Sequence, residues 1–334
     1  MGLGLPAPSL LAYLLPSRPD SSGASVGLVV ERLFQLAPAP INGDGRFAPS
    51  PTGPLHLGNL RTALLAWCCA RSNGGRFLIR IEDLDQERVR PGSATQQLGD
   101  LAALGLEWDE PVVNQSDRMA LYDDAIESLR AAELLYPCWC TRAEIRGASS
   151  APHGEPAHYP GTCRELTTAQ LQERRASGRQ PALRARGGQA EITFLDRVHG
   201  ERTDLVDDFV VARNDGAPAY HLAVVVDDAA QALSEVVRGD DLLDSTAAQC
   251  WLQIQLGLPR PSYVHLPLLR DSDGKRMSKR DSSVTLDGQA ELGHAPLQVR
   301  SELAASVGLC EPDEPLDDDQ LLSRFSSILV ESTE

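Results

Sequence analysis

The sequence predicts an α/β fold: a doubly wound parallel sheet with a small subdomain inserted into it. Three observations carry that prediction. The apolar pair Phe47-Ala48 ends a short strand and passes through a Pro- and Gly-rich turn into a helical apolar face. Downstream, apolar strands alternate with amphipathic helices, the pattern of right-handed crossovers. Between Tyr136 and about Arg186 the alternation breaks, and its first part is rich in Pro, Gly and His around Cys138, Cys140 and Cys163.

Taken in order, residues 1–44 are rich in Pro, Gly, Ser and Ala. They are expected to be a poorly ordered extension, with one short helix at Val26–Gln35. Met1 to Leu15 has no Lys or Arg before its apolar patch and makes a poor secretory signal. Folded structure is expected from Gly45. In Gly45–Asn59, residues Pro49, Pro51, Gly53 and Pro54 forbid both helix and continued strand. From Leu57 onward, Leu60, Ala63, Leu64 and Trp67 mark a helix. Its start offers unpaired N–H groups and a positive dipole end, a natural seat for phosphate. His56 and Asn59 flank Gly58, where the missing side chain lets a planar ring approach the backbone.

Gly74-Gly75 stops the helix, and Arg76–Ile81 is a strand followed by Glu82-Asp83. Acids at the C-terminal end of that strand belong on the ligand-binding edge of a parallel sheet. Ser93–Leu106 and Asp117–Leu135 read as amphipathic helices, and Thr167–Ala176 as a helix of the insertion. Strands are expected at Ala182–Arg186, at Phe209–Ala212, at Tyr220–Val226 ending in Asp227-Asp228, and at Tyr263–Leu269. Ser245–Leu256 is a helix. The chain then enters Arg270–Asp281, which holds Lys275, Arg276, Lys279 and Arg280 within six residues. The expected segments are therefore 1–44, 45–135 as the first half of a nucleotide-binding domain, 136–186 as the insertion, 187–293 as the second half with the basic loop, and 294–334 as a short acidic tail, helical in its last turn or two.

Composition narrows the function. A 42% hydrophobic content is that of a globular chain, and no apolar run approaches the roughly 20 residues that span a bilayer. A net charge of −16 argues against indiscriminate coating of nucleic acid. Part of that charge sits in the tail, where eight acids from Glu311 onward face a single Arg324. Seven cysteines in 334 residues do not make a disulfide framework. Cys68, Cys69 and Cys250 read as small buried apolar residues, and a reducing, cytoplasmic location is expected.

The first turn and the basic loop together resemble the signatures of class I aminoacyl-tRNA synthetases. His56-Leu-Gly-Asn59 is similar to their first signature and Arg276-Met-Ser-Lys-Arg280 to their second, in the right order and more than two hundred residues apart. Arg46-Phe-Ala-Pro-Ser-Pro-Thr-Gly53, with Arg80-Ile-Glu-Asp83 after the next strand, is similar to the glutamyl branch. The resemblance covers about Gly45 to Gly293 and implies a Rossmann-like catalytic domain. It implies ATP, with Mg2+, bound by Pro49, His56, Gly58, Asn59, Arg276, Met277, Ser278 and Lys279. The chemistry explains these residue types. A carboxylate must attack the α-phosphate of ATP, so the catalyst needs positioning and positive charge instead of a nucleophile. Lys279 and His56 are the expected catalytic pair. The plain alternative for the basic run is a solvated loop.

Selecting glutamate requires a clamp for each carboxylate and an acceptor for the ammonium. By the same resemblance, Arg46 pairs with the side-chain carboxylate, Glu82 with the ammonium and Arg238 with the α-carboxylate. Phe47, Ala48, Pro49, Ser50 and Tyr220 complete the pocket. The arginine fork suits both clamps, because it makes two parallel hydrogen bonds to a carboxylate.

Cys138, Cys140 and Cys163 can form three corners of a zinc tetrahedron. The glutamyl-queuosine tRNA(Asp) synthetase subfamily, which this sequence resembles, fills the fourth corner with a Tyr four residues before the last Cys. Tyr159 matches that position, while His158 and His153 are chemically competent rivals. A chain ending soon after the basic loop also resembles this subfamily, which lacks a helical anticodon-binding region. The implied activity is ATP-dependent activation of glutamate and its transfer to the queuosine base of tRNA(Asp), by a monomer with no membrane contact. Two rivals stand beside it: a truncated glutamyl-tRNA synthetase that charges a tRNA 3′ end, and a non-catalytic RNA-binding relic.

Overall fold

The computed structural model describes residues 43–148, 159–269, 284–311 and 314–331. The expectations for residues 1–42, including the helix at Val26–Gln35, lie outside the described residues, as do His153, His158 and the basic loop with Arg276, Met277, Ser278 and Lys279.

Strand β1 (Gly45–Phe47) leads through the Pro-rich turn into helix α1 (Leu57–Ser72), which returns to β2 (Phe77–Ile81). β1 and β2 pair in parallel, with Arg46 opposite Leu78. Helix α2 (Ser93–Ala103) then leads to the two-residue β3 (Val113–Asn114), which joins β2 in parallel. Helix α1 is buried nearly all round, because the sheet covers one side and the C-terminal helices cover the other.

Helix α3 (Met119–Ala131) precedes the insertion. There β4 (Leu135–Cys138), helices α4 (Arg142–Ala148) and α5 (Thr168–Ala176), and β5 (Ala182–Ala185) follow in order. Thr167 caps α5 by accepting the Gln170 N–H. A hairpin of β6 (Ala190–Asp196) and β7 (Gly200–Val206) follows, then β8 (Phe209–Ala212). β4, β5 and β8 form an antiparallel sheet with Cys138 at the end of β4 and Cys140 just beyond it. The hairpin was not expected. Its alternation buries Ile192, Phe194 and Asp196 while the intervening positions face outward.

Helix α6 (Tyr220–Ala230) corrects the expectation of a strand at Tyr220–Val226. A run of apolar residues without period cannot by itself separate a buried strand from a buried helix. Here Leu222 to Val226 are buried on every side, within a core that includes Tyr122 and Trp251. Strand β9 (Glu235–Gly239), helix α7 (Thr246–Leu256) and strand β10 (Ser262–Leu266) complete a mixed sheet in the order β7-β6-β10-β9, parallel except for the β6-β7 hairpin. Arg238 of β9 stands in register with His265 of β10, and Tyr263 of β10 with Asp196 of β6.

This sheet meets the β1-β2-β3 sheet where the Asp44 carbonyl accepts N–H groups from Ser234 (3.0 Å) and Glu235 (3.1 Å). Strand β1 therefore lies beside β9, and the crevice beyond their carboxyl ends is a topological switch point, where open α/β sheets bind ligands.

The C-terminal region corrects a second expectation. After α8 (Leu286–Glu291), α9 (Pro296–Ala305) and α10 (Asp318–Glu331) form, so the short acidic helical tail expected over 294–334 is helical well before its last turn or two. Val299, Leu303, Leu321 and Phe325 are buried in the same core as α1. Few apolar residues were needed, because the four-residue spacing within each pair puts it on one helical face. Among the described residues no helix is long and apolar enough to cross a membrane.

Candidate active site and cysteine cluster

The crevice holds a cavity of about 540 Å3, within the range of small-molecule sites. Every described residue expected to bind ATP or glutamate lines it: Arg46 to Ser50 from the first turn, His56, Gly58 and Asn59 at the start of α1, Glu82 after β2, Tyr220 at the start of α6 and Arg238 on β9. Because α6 is a helix, Tyr220 arrives as its first residue instead of lying along a strand.

His56 is the N-cap of α1. Its Nδ1 accepts the Asn59 backbone N–H at 3.1 Å, and Asn59 Oδ1 accepts the His56 N–H at 3.2 Å. This is a capping box in which imidazole replaces the usual hydroxyl. The cap occupies Nδ1, so the ring proton of the neutral imidazole resides on Nε2. The ring close to Gly58 is that of His56 itself: a Cβ on Gly58 would lie 3.0 Å from its atoms. Leu269 lines the cavity, and His56 and Thr285 form an antiparallel bridge. The residues flanking the basic loop are therefore both at this end of the molecule.

The two expected clamps differ in their surroundings. Arg46 donates from Nε to Asp228 Oδ1 at 3.3 Å and from Nη1 to the Val237 carbonyl at 3.3 Å. Arg80, fully buried, donates to the same Asp228 oxygen at 2.7 Å and to Glu82 at 3.2 Å. Burial works to raise the Asp228 carboxyl, but Arg46 and Arg80 hold it below its ordinary value. Glu82 responds in the opposite sense: burial raises it despite Arg80 and Arg46. Arg238 is only 5% exposed. Its partners are His265 Nε2 (2.8 Å), Gln249 Oε1 (2.8 Å), Thr246 Oγ1 (2.9 Å) and Tyr220 Oη (3.5 Å). None is a carboxylate, and among the described residues Arg238 has no salt bridge.

Sequence reasoning missed three supports of this cavity. Arg80 and Asp228 stand behind Arg46. Gln97 of α2 donates to the carbonyls of Ser50 (3.1 Å) and Gly53 (2.7 Å), pinning the turn. Arg61 reaches the Pro267 carbonyl, and burial lowers its guanidinium to about 10. A charged residue inside the apolar run Phe77–Ile81 was the one visible signal.

The second site lies in the insertion. Sγ atoms of Cys138, Cys140 and Cys163 lie within 4.8 Å of one another, with Cys140 and Cys163 3.6 Å apart. Tetrahedral zinc with bonds of about 2.3 Å needs sulfurs about 3.8 Å apart, so the cluster fits the ion. Tyr159 Oη lies 3.4 Å from Cys138 Sγ and 3.9 Å from Cys140 Sγ, and accepts the Cys163 N–H at 2.8 Å. Burial and the neighbouring thiols raise Cys140 to about 11. Cys138, which burial alone would raise, is brought below its ordinary value chiefly by the Tyr159 hydroxyl. Arg184 lies over the Tyr159 ring, 3.9 Å from its centroid.

The chain belongs to the class I tRNA synthetases of the E and Q type, whose catalytic-domain profile matches residues 44–306. That match extends past the expected limit at Gly293. Within this family the chain groups with proteins named glutamyl-Q tRNA(Asp) synthetase. It is 56% identical to one from Nocardia farcinica over 80% of this chain and 86% of that protein. It is 48% identical to one from Symbiobacterium thermophilum, over 84% and 91%. A glutamate–tRNA ligase from Halorhodospira halophila is 43% identical over 81% of this chain but only 60% of its own length. Among solved structures, glutamate–tRNA synthetase from Elizabethkingia anophelis superposes with a TM-score of 0.71 at 27% identity, over 84% of this chain. This chain spans 65% of that protein.

Proposed function

We propose that the cavity activates L-glutamate with ATP, and that the glutamyl group then passes to the queuosine base in the anticodon loop of tRNA(Asp). One observation carries the first half. Arg238 is a buried cation with fixed geometry and, among the described residues, no salt-bridge partner, facing a cavity at the sheet's switch point. A buried charge is costly unless paired, so the missing partner is supplied by the ligand. The α-carboxylate of glutamate is that partner. Arg46 receives the side-chain carboxylate, and Glu82 the ammonium. Glutamine would offer Arg46, already paired with Asp228, a neutral amide in place of a second carboxylate.

The α-carboxylate attacks the α-phosphate of ATP, the bond to pyrophosphate breaks, and glutamyl-adenylate forms. Mg2+ would screen the phosphates. The α1 N-terminus and the His56 Nε2–H hold phosphate oxygens, and Lys279 neutralises charge as pyrophosphate departs. In the second step a nucleophile of the tRNA base displaces AMP. The names of relatives that match over most of their length support queuosine-bearing tRNA(Asp) as the acceptor. The insertion supports an RNA partner in a different way: between residues 136 and 186 eight arginines face four acids, in a chain whose net charge is −16. Arg142, Arg146, Arg174, Arg175 and Arg179 are exposed there. Zinc held by Cys138, Cys140, Cys163 and Tyr159 would supply a structural crosslink to this insertion. Thiolate ligation suits a reducing, cytoplasmic compartment. Because one chain supplies every group of the cavity, a monomer suffices.

The test is transfer of labelled glutamate to tRNA(Asp) with and without queuosine. Label that depends on queuosine and resists removal of the tRNA 3′ nucleotide is expected. Label on the 3′ end would identify an ordinary charging enzyme.

A further inference from the structure

Arg238 is held by a chain of buried groups that extends behind it across three strands. Asp196, at the end of β6, is fully buried. Its Oδ1 accepts N–H groups from Val198 (3.0 Å) and His199 (2.9 Å). Its Oδ2 lies 2.6 Å from His265 Nδ1 and accepts the His265 backbone N–H at 3.2 Å. These bonds to Asp196 favour the ionised carboxylate and hold it below its ordinary value, although burial works the other way. A carboxylate so held only accepts, so the proton between it and the imidazole belongs to Nδ1. His265 is fully buried. Burial outweighs the pull of Asp196 and lowers the imidazole to about 4, so the ring is neutral and Nε2 carries a lone pair. That lone pair faces Arg238 Nε at 2.8 Å, and an arginine Nε–H can only donate. Each bond in the chain fixes the next.

This arrangement solves a specific problem. A carboxylate placed directly against Arg238 would orient it equally well but would cancel the charge that a ligand needs. Here the anion stands one residue farther back, and among the described residues only neutral acceptors touch the guanidinium. We propose that His265, its tautomer set by Asp196, is the positioning residue that aims Arg238 at the ligand's α-carboxylate while leaving its positive charge uncancelled. The assignment rests on the reading of Arg238 as the carboxylate clamp.

Glutamate-dependent ATP–pyrophosphate exchange tests it, with His265→Leu and His265→Gln. Leucine removes the acceptor; the glutamine amide oxygen reaches the place of Nε2. His265→Leu should raise KM for glutamate about tenfold or more, the effect of losing a hydrogen bond to a charged group, with KM for ATP within about twofold. His265→Gln should recover most of the loss. An unchanged glutamate KM in His265→Leu would overturn the assignment. So would a parallel rise in both KM values that glutamine fails to rescue, since that marks a packing defect. Should the variants not fold, 15N spectra of the unaltered protein decide: a proton on Nδ1 is expected, and a proton on Nε2 would refute the chain. Absence of exchange in the parent protein would instead reject the glutamate reading, leaving the tautomer measurement to judge His265.

Discussion

Arg46 and Arg238 lie on adjacent strands, line the same cavity and are both buried, yet their electrostatic settings are opposite. Arg46 shares Asp228 with Arg80, so its charge is already answered within the protein. Among the described residues, Arg238 touches only neutral acceptors. The cysteine cluster is the mirror image, with three groups that become anions on binding a metal. The difference teaches which groups carry the fold and which await a ligand. An internally paired charge costs stability when broken, whereas an unpaired one costs stability until its ligand arrives.

The largest expected effect breaks the unpaired side. Arg238→Met should lower kcat/KM for glutamate by about 10²–10³, the usual loss when one partner of a buried charge pair is removed. In urea, without glutamate, it should be at least as stable as the parent. Near-parental kcat/KM would remove Arg238 from the binding site.

Next comes the paired side. Asp228→Asn should destabilise the fold by about 3 kcal/mol in urea unfolding, because two guanidiniums lose their shared anion. The Asp228 carboxyl is held below its ordinary 3.8. Its contribution is therefore complete above that value and is lost only as pH falls through the still lower folded value. The gap between parent and Asp228→Asn should thus stay constant down to about pH 4. Narrowing near neutrality would mean that Asp228 is not ionised as described.

A smaller effect separates the cradle of Arg238 from the rest. Burial holds His265 and His221 neutral down to about 4, against an ordinary 6.5. The unfolded chain therefore binds more protons between those values, and stability should fall as pH drops from 6.5 to 4. His265→Gln should flatten that slope, by on the order of 2 kcal/mol at pH 4. An unchanged slope would show that His265 is charged in the folded protein.

The smallest effect on activation should come from the cysteines. Cys163→Ser should abolish binding of one equivalent of zinc and lower Tm, while leaving glutamate-dependent exchange within about twofold. Cys138 ends β4 and the other ligands lie on loops of the insertion, and none of them lines the cavity. A large loss of exchange would tie the metal to activation.

How much of this was legible in the sequence follows from where the information lay. The turn from Arg46 to Asn59 was legible because Pro and Gly restrict the backbone locally, and because helix starts have a known use. Tyr159 was placed beside the thiols by spacing and resemblance. Helix α6 was not legible, since Leu222 to Val226 carry no period and only packing against α3 and α7 decides between helix and strand. The extent of α10 was hidden by the tail's acidic majority, although Leu321 and Phe325 turn one face of it to the core. Asp228 and His265 were invisible for another reason: each acts on an arginine far away in sequence, 182 residues away for Arg46 and 27 for Arg238.

The central claim is that Arg238 lacks an anion because glutamate brings one. A crystal structure of the protein with bound glutamate tests it most directly. The expected result is the α-carboxylate within hydrogen-bond distance of Arg238 and the side-chain carboxylate at Arg46, with His265 and Asp196 unmoved. Glutamate bound with Arg238 still facing only neutral protein groups would contradict it.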